Sequence, residues 1–372
     1  MAIKNIVFLC LYSPGDKNVG YRRCLFFANA FARDGYRVHY ITLNAPDYSG
    51  DFIEESICFH YVRQRDSIDQ DIPSLFKTLK RFVLVKLIGQ LPDPRLLLVR
   101  KILQKINLKL CPKETILIGS HPPWVAFLIT YLLSKKFGFT YILDFRDLFY
   151  GSHLFSKRLA FIERSLQKFF VSRAVLSVTV SRPWCGEISD DCILVSNGFD
   201  GRKFTGNVTL NKTNIVRYFG SILHDDRVSD TLKDVILRNS SYNFEFYGNC
   251  ELAFNILNGM ENVKFYGFVP YEEAIGLMRS ASFNLVLGAS DIDVSRKGML
   301  QTKIYEYMAA RRPILYLGDR QSYQYRFLKK SNLVFDSLQP LSKGELQPND
   351  EYINQWSRSY SYEYLKKNIE NL

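Results

Sequence analysis

No GxGxxG follows the first apolar run of this sequence and no GxxxxGK[ST] occurs in it, so it carries neither a dinucleotide fingerprint nor a Walker phosphate loop. GxSxG and HExxH are absent too, which argues against an α/β-hydrolase elbow and a zinc protease. The seven cysteines (Cys10, Cys24, Cys58, Cys111, Cys185, Cys192 and Cys250) are scattered, odd in number and never spaced CxxC. A zinc site or a disulfide framework is therefore not expected, and a reducing compartment fits. Long hydrophobic runs are equally scarce. Residues 115–134, TILIGSHPPWVAFLITYLLS, lack Asp, Glu, Lys and Arg, but His121-Pro122-Pro123 splits them into two pieces too short to span a bilayer. The apolar run at the start ends at Pro14-Gly15-Asp16, too early for a signal peptide. The expectation is a cytoplasmic chain, at most peripheral on the inner face of the cell membrane.

What is present points to an α/β protein. The chain has 372 residues, long for one core and suited to two domains. Hydrophobic residues make up 47% and aromatics 15%, as in a well-packed globular protein. The net charge of +12 favours an acidic partner: a nucleotide, nucleic acid or an anionic membrane. Apolar runs of strand length recur at KNIVFLCLY, YRVHYITLN, ICFHYVR, TILIGS, TYILDF, AVLSVTVS and CILVSN. Helical segments such as RRCLFFANAFARDG and LAFIERSLQKFFVSRA separate them. After a polar stretch, a second series follows: IVRYFGSI, NFEFYGN, NVKFYGF, SFNLVLGA, PILYLGD and NLVFDS. Alternation of this kind predicts two doubly wound, Rossmann-like domains. Their expected bounds are 1–200 and 214–352, with a linker over 201–213 and a last helix over 353–372 returning to the first domain. Ligands of such sheets bind at strand carboxyl ends, so the cleft between the domains is the expected site.

The segment QTKIYEYMAARRPILYLGD, residues 301–319, reads as loop, helix, strand. A loop entering a helix offers unpaired N–H groups and a positive dipole end, which suit a diphosphate, and Lys303 adds a full charge. Glu306, one turn in, can accept hydrogen bonds from two ribose hydroxyls, as acidic residues do in other nucleotide sites. A solvated pairing of Glu306 with Arg311 or Arg312 is the alternative.

TKIYEYMAARRPIL resembles the nucleotide-binding helix of the family-4 retaining glycosyltransferases, which have the two-domain GT-B fold. Other segments resemble the same family in the same order over nearly the whole chain: NVGYRRCLFFANAFARDGYRVHYIT, LPDPR, SHPPWVAFLITYLLSKKFGFTYILDFRD, ERSLQKFFVSRAVLSVTVS with VSNGFD, and NVKFYGFVPYEEAIGLMRSASFNLVL. The set is most similar to the subgroup of bacterial polysaccharide and O-antigen synthesis. The resemblance implies a UDP- or GDP-linked sugar donor, a glycan or lipid-linked acceptor, and transfer with retention of anomeric configuration. It places Glu306 on the ribose and Lys303 near the donor. Gly298 stands where the family often has a first Glu, so that sugar contact is not carried over. The resemblance also makes Gly220, Ser221 and Arg227 the counterparts of the diphosphate-binding loop, and His121 the counterpart of a histidine that contacts the donor sugar.

Other positions have two readings each. Asp144, Arg146 and Asp147, in DFRD, suit an acceptor site or a bracing Asp–Arg pair. Gly15 and Gly20, flanking Lys17, suit close approach to the donor or a tight turn. The DID at Asp291 and Asp293 lies too late to match a metal-binding DxD, and no metal requirement is expected. Residues 77–114 hold ten Lys or Arg against Asp93 and Glu114. They suit either an anionic membrane surface or a solvated helical face. Two rivals remain: a sugar-nucleotide 2-epimerase on the same fold, and a non-catalytic nucleic-acid-binding protein. The second lacks a recognisable module, and no nucleic-acid partner is expected.

Overall fold

The computed structural model describes residues 2–13, 20–43, 53–62, 93, 95–150, 160–206, 214–222, 230–288, 294–339 and 345–372. The chain forms two compact units. One holds Met1–Ser196 and Tyr362–Leu372, the other Asn197–Ile292 and Arg296–Ser361.

In the first unit, β1 (Asn5–Leu9), β2 (Arg37–Thr42), β3 (Cys58–Tyr61), β4 (Thr115–His121), β5 (Thr140–Phe145), β6 (Leu176–Thr179) and β7 (Ile193–Leu194) form one sheet. Their order is β3-β2-β1-β4-β5-β6-β7, with parallel pairing throughout. Every residue of β1 and of β4 is buried. Helices on both faces of a parallel sheet require this, which is why these strands are continuous apolar runs rather than alternating ones. The helix Gly20–Arg33 stops at Gly35, whose φ of +87° admits glycine readily. Phe27 and Phe31 of this helix pack with Phe8, Tyr40 and Ile142. The same core takes in Tyr362, Leu365 and Ile369 from the helix Arg358–Glu370. The Tyr362 ring lies 4.9 Å from that of Phe31, and its hydroxyl donates to Asp34 Oδ2 at 2.7 Å.

In the second unit, β8 (Ile215–Phe219), β9 (Asn243–Tyr247), β10 (Val263–Gly267), β11 (Phe283–Leu287), β12 (Ile314–Leu317) and β13 (Val334–Phe335) run in the order β10-β9-β8-β11-β12-β13. All of these pairings are parallel too. Neighbouring residues of a strand point to opposite faces. Tyr218 therefore enters one core, with Phe244, Phe246 and Leu285, while Phe219 enters another, with Tyr247, Tyr305 and Tyr307. Trp356 belongs to this second unit, where its ring lies 4.7 Å from that of Phe327.

Each sheet reverses its winding beside its first strand, between β1 and β4 and between β8 and β11. The reversal leaves a crevice outside the carboxyl ends of those strands, because the flanking helices depart to opposite faces. Among the described residues, no helix is long and apolar enough to cross a membrane.

Candidate functional site

The carboxyl ends of β8 and β11 are both tied to the helix Thr302–Ala309. The Tyr307 hydroxyl accepts from the backbone N–H of Phe219 at 2.9 Å, and Gln301 Nε2 donates to the Leu287 carbonyl at 3.0 Å. These bonds set the start of the helix over the crevice of the second unit. The Gln301 side chain, at the N-cap, does not cap that start, and its first N–H groups carry the positive end of the helix dipole. Ile304, Tyr305, Tyr307 and Met308 are buried on several sides, which fixes the helix in place.

Lys303 projects from the first turn, with its ammonium 3.5 Å from the centre of the Tyr218 ring. A Cβ added to Gly220 would stand 3.5 Å from the same nitrogen. Lys303 and Gly220 therefore share one small region, and Gly220 is exposed there. Ser221 follows it, and its carbonyl accepts from the Tyr218 hydroxyl at 3.2 Å. Cys250 Sγ donates to the Gly220 carbonyl at 3.5 Å. Burial pushes this thiol up to about 11, with the Lys303 charge acting in the other direction, so it stays protonated near neutral pH.

Glu306 is only 8% exposed, and its Oε1 accepts from the Tyr271 hydroxyl at 2.6 Å. The solvated Arg pairing is not formed. Arg311 pairs instead with Asp350 at 2.6 Å, and Arg312 donates to the Ala281 carbonyl at 2.6 Å. A buried carboxylate with a hydroxyl partner is chemically suited to a further hydroxyl ligand, because each oxygen can accept more than one bond.

Glycine follows β8, β9, β11 and β12, as Gly220, Gly248, Gly288 and Gly318. Here backbone meets backbone. A Cβ on Gly248 would lie 2.4 Å from the Gly220 carbonyl oxygen, and one on Gly318 would lie 2.9 Å from Gly288 Cα. Of this rim the sequence reading singled out Gly220 alone, although the YFG, FYG, VLG and YLG strand endings carry all four. Beneath it lies a ladder of stacked rings. Phe219 and Tyr247 are 4.9 Å apart, and Tyr247 and Tyr266 are 5.0 Å apart.

In the first unit, His121 ends β4 beside the other crevice. Its side chain is buried, 2% exposed, with Phe127, Phe145 and Phe149 ring centres 5.3, 6.4 and 5.6 Å away. Desolvation, reinforced by the Arg146 charge, lowers its pKa to about 3. The imidazole is therefore neutral at ordinary pH, able to give or accept a hydrogen bond but not to act as a cationic acid. Its Nδ1 is buried without a partner among the described residues. Arg146 clamps the crevice: its guanidinium donates to the carbonyl of Gly20, at the head of the first helix, and to that of Pro122 at 2.7 Å. Asp144 is an internal brace, held by Arg23 at 2.5 Å through both oxygens and by the Ser120 hydroxyl at 2.9 Å. Asp147 reaches solvent, yet the protein mass around it desolvates its carboxyl and raises it to about 6, against the pull of Arg146.

Gly15, Lys17, Arg227, Asp291 and Asp293 lie outside the described residues, as do residues 77–92 of the basic stretch and the linker residues 207–213. Within the described part of that basic stretch, residues 93 and 95–114, the helix Leu96–Lys105 buries Leu98 and Ile102 and exposes Leu97. A cavity of ≈ 650 Å³ opens at the amino end of the first sheet. Its charges are largely spent on each other, as in Lys4–Glu114 at 2.7 Å and Lys366–Asp34 at 2.6 Å, and it lies away from the strand ends where chemistry is expected.

No family model and no curated protein matches the sequence. Solved structures do match, end to end. A sucrose-phosphate synthase from Thermosynechococcus elongatus is 13% identical, with a TM-score of 0.64, over 98% of each chain. Anabaena HepE, in complex with UDP and glucose, is 14% identical with a TM-score of 0.62 over 100% of both chains. An α,α-trehalose 6-phosphate synthase from Burkholderia multivorans is 8% identical, with a TM-score of 0.68, over 100% of this chain and 97% of that one. The fold is GT-B. At these identities the likeness speaks for the fold alone, and the two sheets with their reversed winding are what it rests on.

Proposed function

We propose that this protein is a glycosyltransferase that moves a sugar from a nucleoside-diphosphate sugar to a glycan or lipid-linked acceptor, with retention, in surface polysaccharide synthesis. The observation that carries the reading is the meeting of Lys303, Gly220 and the uncapped helix start at the β8–β11 crevice, with the buried Glu306 carboxylate one turn further in. A diphosphate there would meet an ammonium, a helix dipole and the exposed, side-chain-free Gly220, and Glu306 would hold the ribose. Arg227 would supply a second cation. UDP is the first nucleotide to test, since HepE has been solved with UDP and with UDP-glucose.

In the transfer, the bond between sugar C1 and the diphosphate oxygen breaks as the acceptor oxygen bonds to C1 on the same face. The acceptor proton passes to the leaving phosphate. This route needs no enzyme nucleophile and no metal. The protein's share is positioning, with charge stabilisation by Lys303, Arg227 and the helix start. His121 would contact the sugar as a neutral hydrogen-bonding group. The first unit would bind the acceptor, with Arg146 and Asp147 at its strand ends.

The test is thermal denaturation of the purified protein with UDP, GDP, CMP, ADP and their sugars. A ligand at about 100-fold its Kd adds roughly 2.7 kcal/mol. Stabilisation by one nucleotide family, followed by sugar transfer to an acceptor, is expected. Turnover of the sugar nucleotide without an acceptor would point to the epimerase, and a shift with RNA or DNA alone would overturn the reading.

A further inference from the structure

His39, Cys58 and His60 share one face of the first sheet. His39 is the register partner of Cys58 across the β2–β3 pairing, and His60 lies two residues beyond Cys58 on β3. The two-residue period of a strand puts Cys58 and His60 on the same side, and parallel register brings His39 to that side as well. The atomic geometry agrees. His39 Nδ1 lies 2.8 Å from His60 Nε2, and the two rings stack at 26° with centres 5.1 Å apart. One ligand atom from each of the three residues lies within 4.8 Å of the other two. The close imidazole contact can use one proton only, and His39 Nε2 is buried with no partner among the described residues.

We propose that His39, Cys58 and His60 bind a divalent late transition-metal ion, Zn²⁺ first, which clips the short edge strand β3 to β2. Two neutral imidazoles and a thiolate form a borderline-soft donor set that favours Zn²⁺ or Co²⁺ over Mg²⁺ or Ca²⁺. Donor atoms of a tetrahedral zinc site stand roughly 3.3–3.8 Å apart, given bonds of about 2.0–2.3 Å. The histidine pair must open slightly and Cys58 must draw in, both of which side-chain rotation supplies. Cys58 is exposed, so the ion has a way in. On binding, the thiol gives its proton to solvent and nothing is oxidised or reduced. The fourth position is left to water. In the sheet, β2 and β1 stand between β3 and β4, so this ion takes no part in the sugar transfer proposed above. The strand it fixes is only four residues long and, among the described residues, pairs on one side.

The experiment is a Co²⁺ titration of the metal-stripped, full-length protein, followed by absorbance. One equivalent should bind with an intense near-ultraviolet thiolate-to-cobalt band, and Zn²⁺ should displace it. Cys58→Ser should abolish the band, whereas Cys111→Ser, at another exposed thiol, should leave it intact. His60→Ala should weaken binding at least about tenfold, since even loss of a group supporting a ligand costs that much. Should His60→Ala fail to fold, Cys58→Ser carries the decision alone, because its side chain is on the surface. Absence of Co²⁺ binding, or a band that survives Cys58→Ser, overturns the proposal.

Discussion

Tyr271 and Glu306 are joined by a 2.6 Å hydrogen bond between two helices, Tyr271–Ser280 and Thr302–Ala309. The bond holds a buried carboxylate at the crevice where a nucleotide is proposed to bind, so its two partners should separate in their effects. Glu306→Ala is expected to weaken nucleotide binding by ~1–3 kcal/mol, since a charged acceptor is lost. Tyr271→Phe removes only the donor that orients it and should cost a fraction of that. Calorimetric titration of both variants with UDP makes the comparison, and an unchanged Kd in Glu306→Ala would take Glu306 out of the site.

Lys303→Met keeps the bulk over the Tyr218 ring and removes the charge. Preorganised cations act on the charge that develops in the transition state, so turnover should fall by about 10²-fold or more while the melting temperature moves little. A variant with wild-type kcat would show that the ammonium serves only the ring beneath it.

The Arg23–Asp144 pair predicts stability, not activity. Each side chain is about 4% exposed, so removing one partner leaves an uncompensated buried charge. Asp144→Leu alone should cost about 3–5 kcal/mol, and Arg23→Met with Asp144→Leu together should recover most of it. Urea unfolding of the single and double variants reads this out. A double variant no more stable than the single would mean that the pair specifies more than charge balance.

For His121, the folded pKa of about 3 lies below the ordinary 6.5, so the unfolded chain binds the proton first. The stability due to its neutral ring is complete above about pH 6.5 and drains away as the pH falls toward 3. At pH 5 the loss is about 2 kcal/mol. His121→Gln should flatten that part of the stability–pH curve, measured by urea unfolding near pH 7.5 and near pH 5. His121→Ala should lower turnover far more than UDP affinity, and normal turnover would reduce His121 to a packing residue.

How much of this was readable in advance follows from where each interaction lies along the chain. Strands such as KNIVFLCLY and IVRYFGSI announce themselves because a strand buried on both faces must be apolar at every step. The Glu306 helix was legible for the same local reason, as a loop, a helix and a strand in one segment. Partners were not. Tyr271 lies 35 residues from Glu306, and Arg23 lies 121 from Asp144, so no periodicity links them. Sequence suggested Arg311 or Arg312 for Glu306 because they are near in the chain, yet the fold turns both elsewhere. His39 and His60 were passed over because their meeting depends on strand register, which a single sequence does not display.

The glycine rim of the second sheet has a consequence for anyone wishing to change what this protein binds. A pocket wall made of side chains can be re-cut by exchanging them. Gly248 and Gly318 offer no such handle, because the first atom added to either meets main chain at 2.4 or 2.9 Å. Such a wall can be blocked but not retuned. Attempts to alter the choice of the proposed nucleotide ligand by substitution should therefore leave Gly248 and Gly318 alone and work on the residues around Lys303 and Glu306.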